Sequence, residues 1–352
     1  MILVTGGAGF IGTNFVLKLI KRKKNQEKIL VFDNLTYSGN ISNFDSLKEN
    51  SLFEFIQGDI NNLKQVQSIF GTFKPRVVVN FAAETHVDRS IEGPDIFIKT
   101  NVFGTFNLLR TSLEYFHSLP KFSKDDSITS QNKFRFLQIS TDEVYGSLKE
   151  DDSQFKEQDP YKPNSPYSAS KASGDHFVRA WTKTYGLPAI VTNCSNNYGP
   201  FQYPEKLIPL TIQNCLSGKK IPIYGKGDQI RDWLFVDDHC SALEKIISKG
   251  RPGENYNIGG ECEYRNIDLV KLICNTLDGM NIKKHPSIKK GYEELISFVP
   301  DRLGHDYRYG VNIKKIKNDL NWQPSISIEE GMKRTVLWYL ENTKWLNNLK
   351  TN

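Results

Sequence analysis

A cluster of three glycines near the start of the chain constrains its fold more than any other feature. Gly6, Gly9 and Gly12 come directly after the apolar segment Ile2–Thr5 and open a helical stretch. A turn from a strand into a helix that closely approaches a pyrophosphate needs residues without a Cβ atom, and the helix N-terminus adds free N–H groups. Glycine-rich turns also occur for packing alone, but the strand and the helix on either side of this one favour a dinucleotide site.

The first half of the chain alternates short apolar segments with helical patterns, which is typical of a parallel sheet covered on both faces. The predicted strands are Ile2–Thr5, Ile29–Asp33, Phe53–Gln57, Val77–Ala82, Phe134–Ser140 and Ala189–Asn193. The predicted helices are Gly9–Ile20, Leu63–Phe70, Ile96–Leu119 and Pro166–Thr184. The polar segments Lys121–Lys133 and Glu150–Asn164 are predicted to be surface loops.

The character of the sequence changes after about Cys194, where glycine, proline and aromatic residues become frequent. Loop-rich sequence after a sheet predicts a lobe that binds a substrate. We therefore expect an α/β protein with a doubly wound parallel Rossmann sheet in residues 1–193 and a smaller C-terminal substrate-binding lobe in residues 194–352. Residues 234–259 resemble a helix and a strand that return to the first domain.

An aspartate at the end of the second predicted strand indicates which dinucleotide is bound. Asp33 lies about 20 residues beyond the glycine motif, as the dinucleotide fingerprint requires. Its carboxylate would accept hydrogen bonds from ribose hydroxyls and repel a 2′-phosphate, which favours NAD over NADP. An Asp that simply ends a strand at a turn remains an alternative. Asp59 could contact the adenine side, although taken alone it is more typical of a turn.

Tyr167 and Lys171 are four residues apart in a predicted helix, so they share one face. Ser165 and Pro166 precede them as a helix cap and a first-turn proline. The Lys171 ammonium, together with a positive nicotinamide, is expected to lower the pKa of the Tyr167 phenol from about 10, so that it acts as a base. Many helices carry such a pair by chance, and the glycine motif upstream is what makes the pair informative.

Asp142 and Glu143 follow the predicted strand Phe134–Ser140, at the sheet edge where open α/β sheets place ligand contacts. Because the backbone turns after the strand, both carboxyls can face one pocket. Mutual repulsion is expected to separate their pKa values, as an acid–base pair requires. Two adjacent acids more commonly cap a loop or a helix, and only the neighbouring motifs favour a catalytic role.

Composition and charge exclude several other classes of protein. The net charge of +6 comes from scattered Lys and Arg, which suits an anionic small molecule better than a nucleic acid. The five cysteines form no CxxC pair, so neither a disulfide framework nor a metal site is expected. No apolar run is long enough to span a membrane, and because the first predicted strand starts at Ile2, no signal peptide is expected. We expect a cytoplasmic protein.

Taken together, the motifs resemble the dTDP-glucose 4,6-dehydratase family of the extended short-chain dehydrogenase type. The resemblance runs from Met1 to about Trp345, and the Thr141–Glu143 triplet separates these dehydratases from related 4-epimerases. The chain departs from the family at Leu303, where proline is usual, and in a shorter loop at 148–164. The matching segments are Thr5–Gly12, Asp33–Tyr37, Ala82–Ser90, Ser140–Gly146, Pro166–Lys171, Asn193–Pro200, Pro204–Pro209, Asp228–Trp233 and Asp301–Asp306.

The resemblance implies two sets of binding residues and a homodimer. Lys206 and Arg231 have the charge to neutralise a diphosphate, and Tyr224 offers a ring face for a base. The implied NAD-binding residues are Gly6, Gly9, Phe10, Ile11, Gly12, Asp33, Asn34, Leu35, Thr36, Asp59, Ile60, Phe81, Ala82, Ala83, Glu84, Thr85, Thr100, Tyr167, Lys171 and Asn197. The implied residues for a nucleoside-diphosphate glucose are Thr85, Thr141, Asn196, Lys206, Leu207, Pro222, Ile223, Tyr224, Arg231, Asn266, Asp301, Arg302, Leu303, Gly304 and His305.

The resemblance also implies a reaction without net oxidation. Tyr167, assisted by Lys171, would take the hydroxyl proton on carbon 4 of the sugar during its oxidation by NAD. Glu143 would remove the proton on carbon 5, Asp142 would protonate the hydroxyl leaving carbon 6, and the hydride would return to carbon 6. Thr141 would hydrogen-bond the oxygen on carbon 4.

Three alternatives remain open from the sequence. The substrate could carry uridine in place of thymidine, since nothing in the sequence decides between the two bases. A nucleotide-sugar 4-epimerase or decarboxylase would use the same scaffold, although the Asp142–Glu143 pair counts against it. A catalytically dead NAD-binding regulator would be expected to have lost the Tyr167–Lys171 pair, which is intact here.

Overall fold

The computed structural model describes residues 1–22, 27–120, 133–280 and 282–349. The strands are β1 (Ile2–Thr5), β2 (Ile29–Asp33), β3 (Phe53–Gln57), β4 (Val77–Asn80), β5 (Arg135–Thr141), β6 (Ala189–Cys194), β7 (Asn196–Tyr198), β8 (Ile221–Tyr224), β9 (Ile230–Phe235), β10 (Asn255–Ile258), β11 (Glu263–Arg265) and β12 (Ile296–Val299). The helices are α1 (Phe10–Lys21), α2 (Leu63–Phe73), α3 (Val87–Glu92), α4 (Asp95–Phe97), α5 (Thr105–Ser118), α6 (Pro166–Tyr185), α7 (Leu207–Ser217), α8 (Val236–Lys249), α9 (Asn266–Asp278), α10 (Lys314–Leu320), α11 (Ile328–Glu341) and α12 (Thr343–Asn348).

A seven-stranded sheet in the order β10-β6-β5-β4-β1-β2-β3 forms the centre of the fold, and its neighbouring strands pair in parallel. Successive side chains of a strand point to opposite faces. Ile2 and Val4 therefore join a core under α1 and α8, whereas Leu3 joins a second core under α2, α5 and α6. Both faces of the sheet are covered, which confirms the predicted doubly wound α/β class.

The C-terminal half contributes to both parts of the molecule. Strand β10 pairs in parallel with β6, with Asn255 opposite Val191, and α8 packs into the same core as α1. A three-stranded sheet of β11, β9 and β7 and a pair of β12 and β8 lie outside the large sheet. They enclose a separate core that includes Ile212, Ile273 and Met332.

The predicted single helix Ile96–Leu119 was wrong in its first turns. The structure has the short α4, a π-helical turn at Ile98–Gly104, and only then α5. The wider turn directs the Asn101 amide to the backbone of Glu84, where it both accepts from the N–H and donates to the carbonyl at 2.9 Å. Such insertions are frequent at functional sites, and Glu84 borders the cleft described below.

The two predicted polar loops differ in how far the structure describes them. The predicted loop Lys121–Lys133 lies almost wholly outside the described residues, whereas Glu150–Asn164 forms a loop with an isolated bridge from Phe155 to Val311. Among the described helices, none is both long and apolar enough to cross a bilayer.

Candidate active site

A cleft of about 310 Å³ opens at the carboxyl ends of the parallel strands, within the size range of small-molecule sites. Residues that follow β1, β2, β4, β5 and β6 line it, together with the first residues of α1 and one face of α6. Open α/β sheets bind ligands at this edge because the loops that leave neighbouring strands converge there.

The three glycines of the motif serve different purposes. Gly6 has a φ of +67°, and a Cβ atom there would lie 2.4 Å from the backbone nitrogen of Ala82. A Cβ on Gly12 would lie 2.6 Å from the Gly6 carbonyl oxygen. At both positions a side chain would therefore collide with the protein's own backbone, whether or not a ligand is bound. At Gly9 the nearest atom would be 3.5 Å away, an ordinary contact. Because Gly9 lines the cleft, the space it leaves fits a close-lying pyrophosphate at the start of α1.

Asp33 both borders the cleft and holds the glycine loop. Its Oδ2 accepts a hydrogen bond from the Ala8 N–H at 2.9 Å, and its Oδ1 accepts one from the Leu35 N–H at 2.8 Å. Burial raises the pKa of Asp33, while these two backbone donors oppose that rise. A carboxylate oxygen can accept more than one hydrogen bond, so Asp33 remains able to bind ribose hydroxyls. The role of Asp33 in the turn is therefore compatible with the predicted ribose role.

Replacing Asp33 with alanine should reduce the affinity for NAD by roughly tenfold or more, because charge-assisted hydrogen bonds are lost. The affinity for NADP should fall much less, since the repulsion of a 2′-phosphate disappears with the carboxylate. Titration of the wild-type chain and the variant with both dinucleotides measures this ratio. Loosening of the glycine loop would weaken the binding of both dinucleotides equally. An unchanged ratio of the affinities for NAD and NADP would therefore contradict the selective role of Asp33.

The end of β5 places two carboxyls in the cleft. Thr141 caps the 3₁₀ turn Asp142–Tyr145, and its hydroxyl accepts a hydrogen bond from the Glu143 N–H at 3.3 Å. The turn breaks the alternation of the strand, so Asp142 and Glu143 both line the cleft. The Asp142 carboxyl is buried, and its Oδ2 has no hydrogen-bond partner among the described residues.

Asp142 and Glu143 differ in their electrostatic surroundings. Burial, followed by repulsion from Glu143 and Asp232, raises the pKa of Asp142 well above its usual range. Burial also raises the pKa of Glu143, but the positive charges of Arg231, Lys206 and Arg302 oppose the shift. The expectation that mutual repulsion is the main cause is corrected, because desolvation is larger at both sites. The pKa of Asp142 is raised further than that of Glu143, a difference of the kind that an acid–base pair requires.

Tyr167 and Lys171 lie on the first two turns of α6, which starts with a capping box formed by Ser165 and Ser168. The Lys171 Nζ donates a hydrogen bond to the Ile139 carbonyl at 2.7 Å. Burial, followed by the negative charge of Glu143, raises the pKa of Tyr167 well above its usual value. The expectation that Lys171 brings this pKa towards neutrality is therefore not met by the residues of this chain, because desolvation of the phenolate is the largest effect and Glu143 adds to it.

Comparison with known proteins places this site in a family. The family model of GDP-mannose 4,6 dehydratase matches residues 3–335. The dTDP-glucose 4,6-dehydratase of Salmonella typhimurium is 49% identical over 358 residues, which cover 99% of this chain and 95% of that protein. The chain belongs to the dTDP-glucose 4,6-dehydratase family.

Solved structures of family members have the same fold. The dTDP-glucose 4,6-dehydratase of Bacillus anthracis, in complex with NAD, has a TM-score of 0.84 and 44% identity, with 99% of both chains covered. The enzyme of Streptomyces venezuelae, also with NAD bound, has a TM-score of 0.87 and 39% identity, again with 99% of both chains covered. The family named from the sequence motifs is confirmed.

The structure gathers most of the implied dehydratase NAD site into the cleft, with Leu35 outside its lining. Leu35 has a φ of +54°, and its backbone N–H bonds to Asp33. The implied NAD-binding residues that line the cleft are Gly6, Gly9, Phe10, Ile11, Gly12, Asp33, Asn34, Thr36, Asp59, Ile60, Phe81, Ala82, Ala83, Glu84, Thr85, Thr100, Tyr167, Lys171 and Asn197. Asn197 is further held by His239, whose Nδ1 lies 2.9 Å from its Oδ1.

Fewer of the implied substrate-binding residues than of the implied NAD-binding residues line the cleft. Of the implied substrate-binding residues, Thr85, Thr141, Asn196 and Lys206 line the cleft. The Arg231 guanidinium donates to the backbone carbonyls of Ile230, Tyr307 and Asp306. The residues outside the cleft lining are Leu207, Pro222, Ile223, Tyr224, Arg231, Asn266, Asp301, Arg302, Leu303, Gly304 and His305.

Several residues that line the cleft received no role from the sequence. Tyr37 and Glu205 lie within segments that resemble the dehydratase family, yet no spacing pattern assigns them a function. Their contact spans 168 positions of the chain, with the Tyr37 hydroxyl 3.0 Å from Glu205 Oε1. The other unassigned lining residues in the C-terminal half are Cys194, Ser195, Gln202 and Tyr203.

Proposed function

We propose that this chain is an NAD-dependent lyase that converts dTDP-glucose into dTDP-4-keto-6-deoxyglucose and water. The observation that carries the proposal is that Tyr167, Asp142 and Glu143 face the cleft that the glycine motif and Asp33 also line. Gly9 leaves room for a pyrophosphate, and Asp33 can bind a ribose, so the residues present fit NAD. When bound, NAD supplies a reversible hydride acceptor and a positive charge.

The roles of Asp142 and Glu143 follow from their surroundings, whereas Tyr167, whose pKa is raised in the chain alone, would act as a base with the positive charge of bound NAD beside it. Tyr167 takes the proton from the hydroxyl on carbon 4, with Lys171 holding the strand end beside it and Thr141 hydrogen-bonding the oxygen. Glu143, which faces cations, removes the proton on carbon 5. Asp142, whose pKa is raised by burial, keeps its proton until it protonates the hydroxyl that leaves carbon 6.

The remaining implied residues are proposed to bind the nucleotide. Lys206 lines the cleft, and its Nζ donates a hydrogen bond to the Thr85 carbonyl at 3.3 Å. In this position its positive charge can bind a diphosphate in the cleft. Beyond the cleft, the Tyr224 ring packs edge-on against His305 at 6.1 Å and lies 5.3 Å from the Arg302 guanidinium. A ring beside a guanidinium suits a nucleotide base joined to phosphates.

The fate of deuterium in a labelled substrate tests this function. With deuterium on carbon 4, the product should carry the label on carbon 6 of the same molecule, and carbon 5 should gain a proton from solvent through Glu143. Incubation of dTDP-glucose and UDP-glucose in separate reactions, followed by mass spectrometry, measures the label and identifies the base. An epimerase would leave the label on carbon 4 and release no water. A binding protein without catalysis would move no label.

We also propose that the chain forms a homodimer in the cytoplasm. Ile96, Ile98 and Phe103 are exposed apolar side chains within eight residues of the chain, and such clusters mark protein interfaces. Replacement of Phe103 by glutamate should convert the dimer into a monomer in light scattering. An unchanged mass would exclude this surface as the interface.

The cysteines support the cytoplasmic location. The described free cysteines, including buried Cys215 and Cys274, suit a reducing compartment.

A further inference from the structure

Glu205 connects three segments at the mouth of the cleft. It directly precedes Lys206 and the start of α7, which packs in the C-terminal core. Its Oε1 accepts a hydrogen bond from the Tyr37 hydroxyl at 3.0 Å. Its Oε2 lies 3.5 Å from His86 Nε2 and 3.6 Å from the Arg89 guanidinium. We call Tyr37, His86, Arg89 and Glu205 the clasp.

The partners of Glu205 are themselves held in place. The Nδ1 of His86 accepts a hydrogen bond from the Arg89 N–H at the start of α3, which leaves the hydrogen on Nε2 to face Glu205. The Arg89 guanidinium lies 3.9 Å from the centre of the Tyr37 ring, and the Tyr203 ring meets Tyr37 edge-on at 5.5 Å. The clasp is therefore a closed network and not a single surface ion pair.

The position of the clasp relates it to the cofactor. Tyr37 follows Asp33 by four residues in the loop that borders the dinucleotide end of the cleft, and Tyr37 and Glu205 both line that cleft. Burial and the Glu205 charge raise the pKa of Tyr37, so its hydroxyl stays protonated and able to donate. The hydrogen bond joins the loop that follows β2 to the segment that precedes α7, and both segments line the cleft.

We propose that Glu205, through Tyr37, His86 and Arg89, closes the cleft over the dinucleotide and slows its release. The proposal rests on the NAD-dependent function proposed above. A reaction that returns its hydride to the same sugar works only if the reduced dinucleotide stays in place until the water has left. The clasp supplies that retention by joining two walls that must separate before the dinucleotide leaves.

Release of a fluorescent etheno-adenine analogue of NAD, chased with excess NAD, measures the effect. Glu205→Gln removes the charge that faces His86 and Arg89, and Tyr37→Phe removes only the hydroxyl. Each should raise the dissociation rate constant by at least about tenfold, since a charge-assisted hydrogen bond is weakened or lost. The association rate constant should not fall. Because the two residues share one bond, the double variant should fall short of the product of the single effects.

A matched control removes the same charge elsewhere. Glu330 pairs with Arg334 on the exposed face of α11, with side chains about half exposed. Glu330→Gln should release the analogue at the wild-type rate. Wild-type release from both clasp variants, multiplicative effects in the double variant, or slower association would each overturn the proposal. Because release is measured without turnover, a wild-type chain that binds the analogue but makes no dehydrated sugar would contradict only the proposed function.

Discussion

Replacement of Tyr167 by phenylalanine should stop the first chemical step while leaving the site intact. The hydroxyl is the only part that changes, and a positioned base typically contributes about 10²–10⁴-fold to a rate. The Tyr167 ring is buried and packs edge-on against Phe97 at 6.4 Å, so the phenylalanine ring fills the same space. The backbone N–H of residue 167 still donates to Ser90 Oγ.

Reduced NAD formed on mixing with dTDP-glucose measures this step directly. The Phe variant should form it at least about 10²-fold more slowly than the wild-type chain. Titration with NAD serves as the control for folding, and the affinity for NAD should be nearly unchanged. Formation of reduced NAD at the wild-type rate would show that another group takes the proton from carbon 4. A parallel loss of NAD binding would instead indicate damage to the cleft.

The layout of the cofactor end could be predicted because it depends on local geometry. Gly6 has a φ of +67° in the turn after β1, and Gly12 has no room for a Cβ atom beside the Gly6 carbonyl. Asp33 ends the next strand of the sheet. Each of these constraints acts over a short stretch of sequence, so residue spacing alone reveals it. The doubly wound class follows from the same alternation of apolar strands with helices.

The features that were predicted wrongly, or not predicted at all, depend on contacts between residues that are far apart in the sequence. The pKa of Tyr167 is set by burial and by Glu143, which comes from another element, so the Tyr–Lys spacing could not give its direction. The π-helical turn before α5 accompanies a bond between Asn101 and Glu84 that helical periodicity does not reveal. The contact between Tyr37 and Glu205 joins two loops far apart in sequence.

Replacement of Asp142 by asparagine should separate elimination from oxidation. The carboxyl is buried and its pKa is raised well above the usual range, which favours the neutral form that a general acid needs. Asparagine is also neutral and has the same shape, and its carbonyl can accept from the Thr141 hydroxyl as Oδ1 does at 3.3 Å. The exchange therefore removes one transferable proton and little else.

The variant should still form reduced NAD and a 4-keto glucose, while the loss of water slows by about 10²–10⁴-fold. In the wild-type chain, water loss should slow as the pH rises through the pKa of Asp142, because the acid form is lost; the variant should lack this dependence. Rapid quenching with mass analysis resolves the two products. If Asp142→Asn binds NAD and substrate but forms no reduced NAD, then Asp142 is needed before the elimination, and Tyr167 does not act alone in the first step.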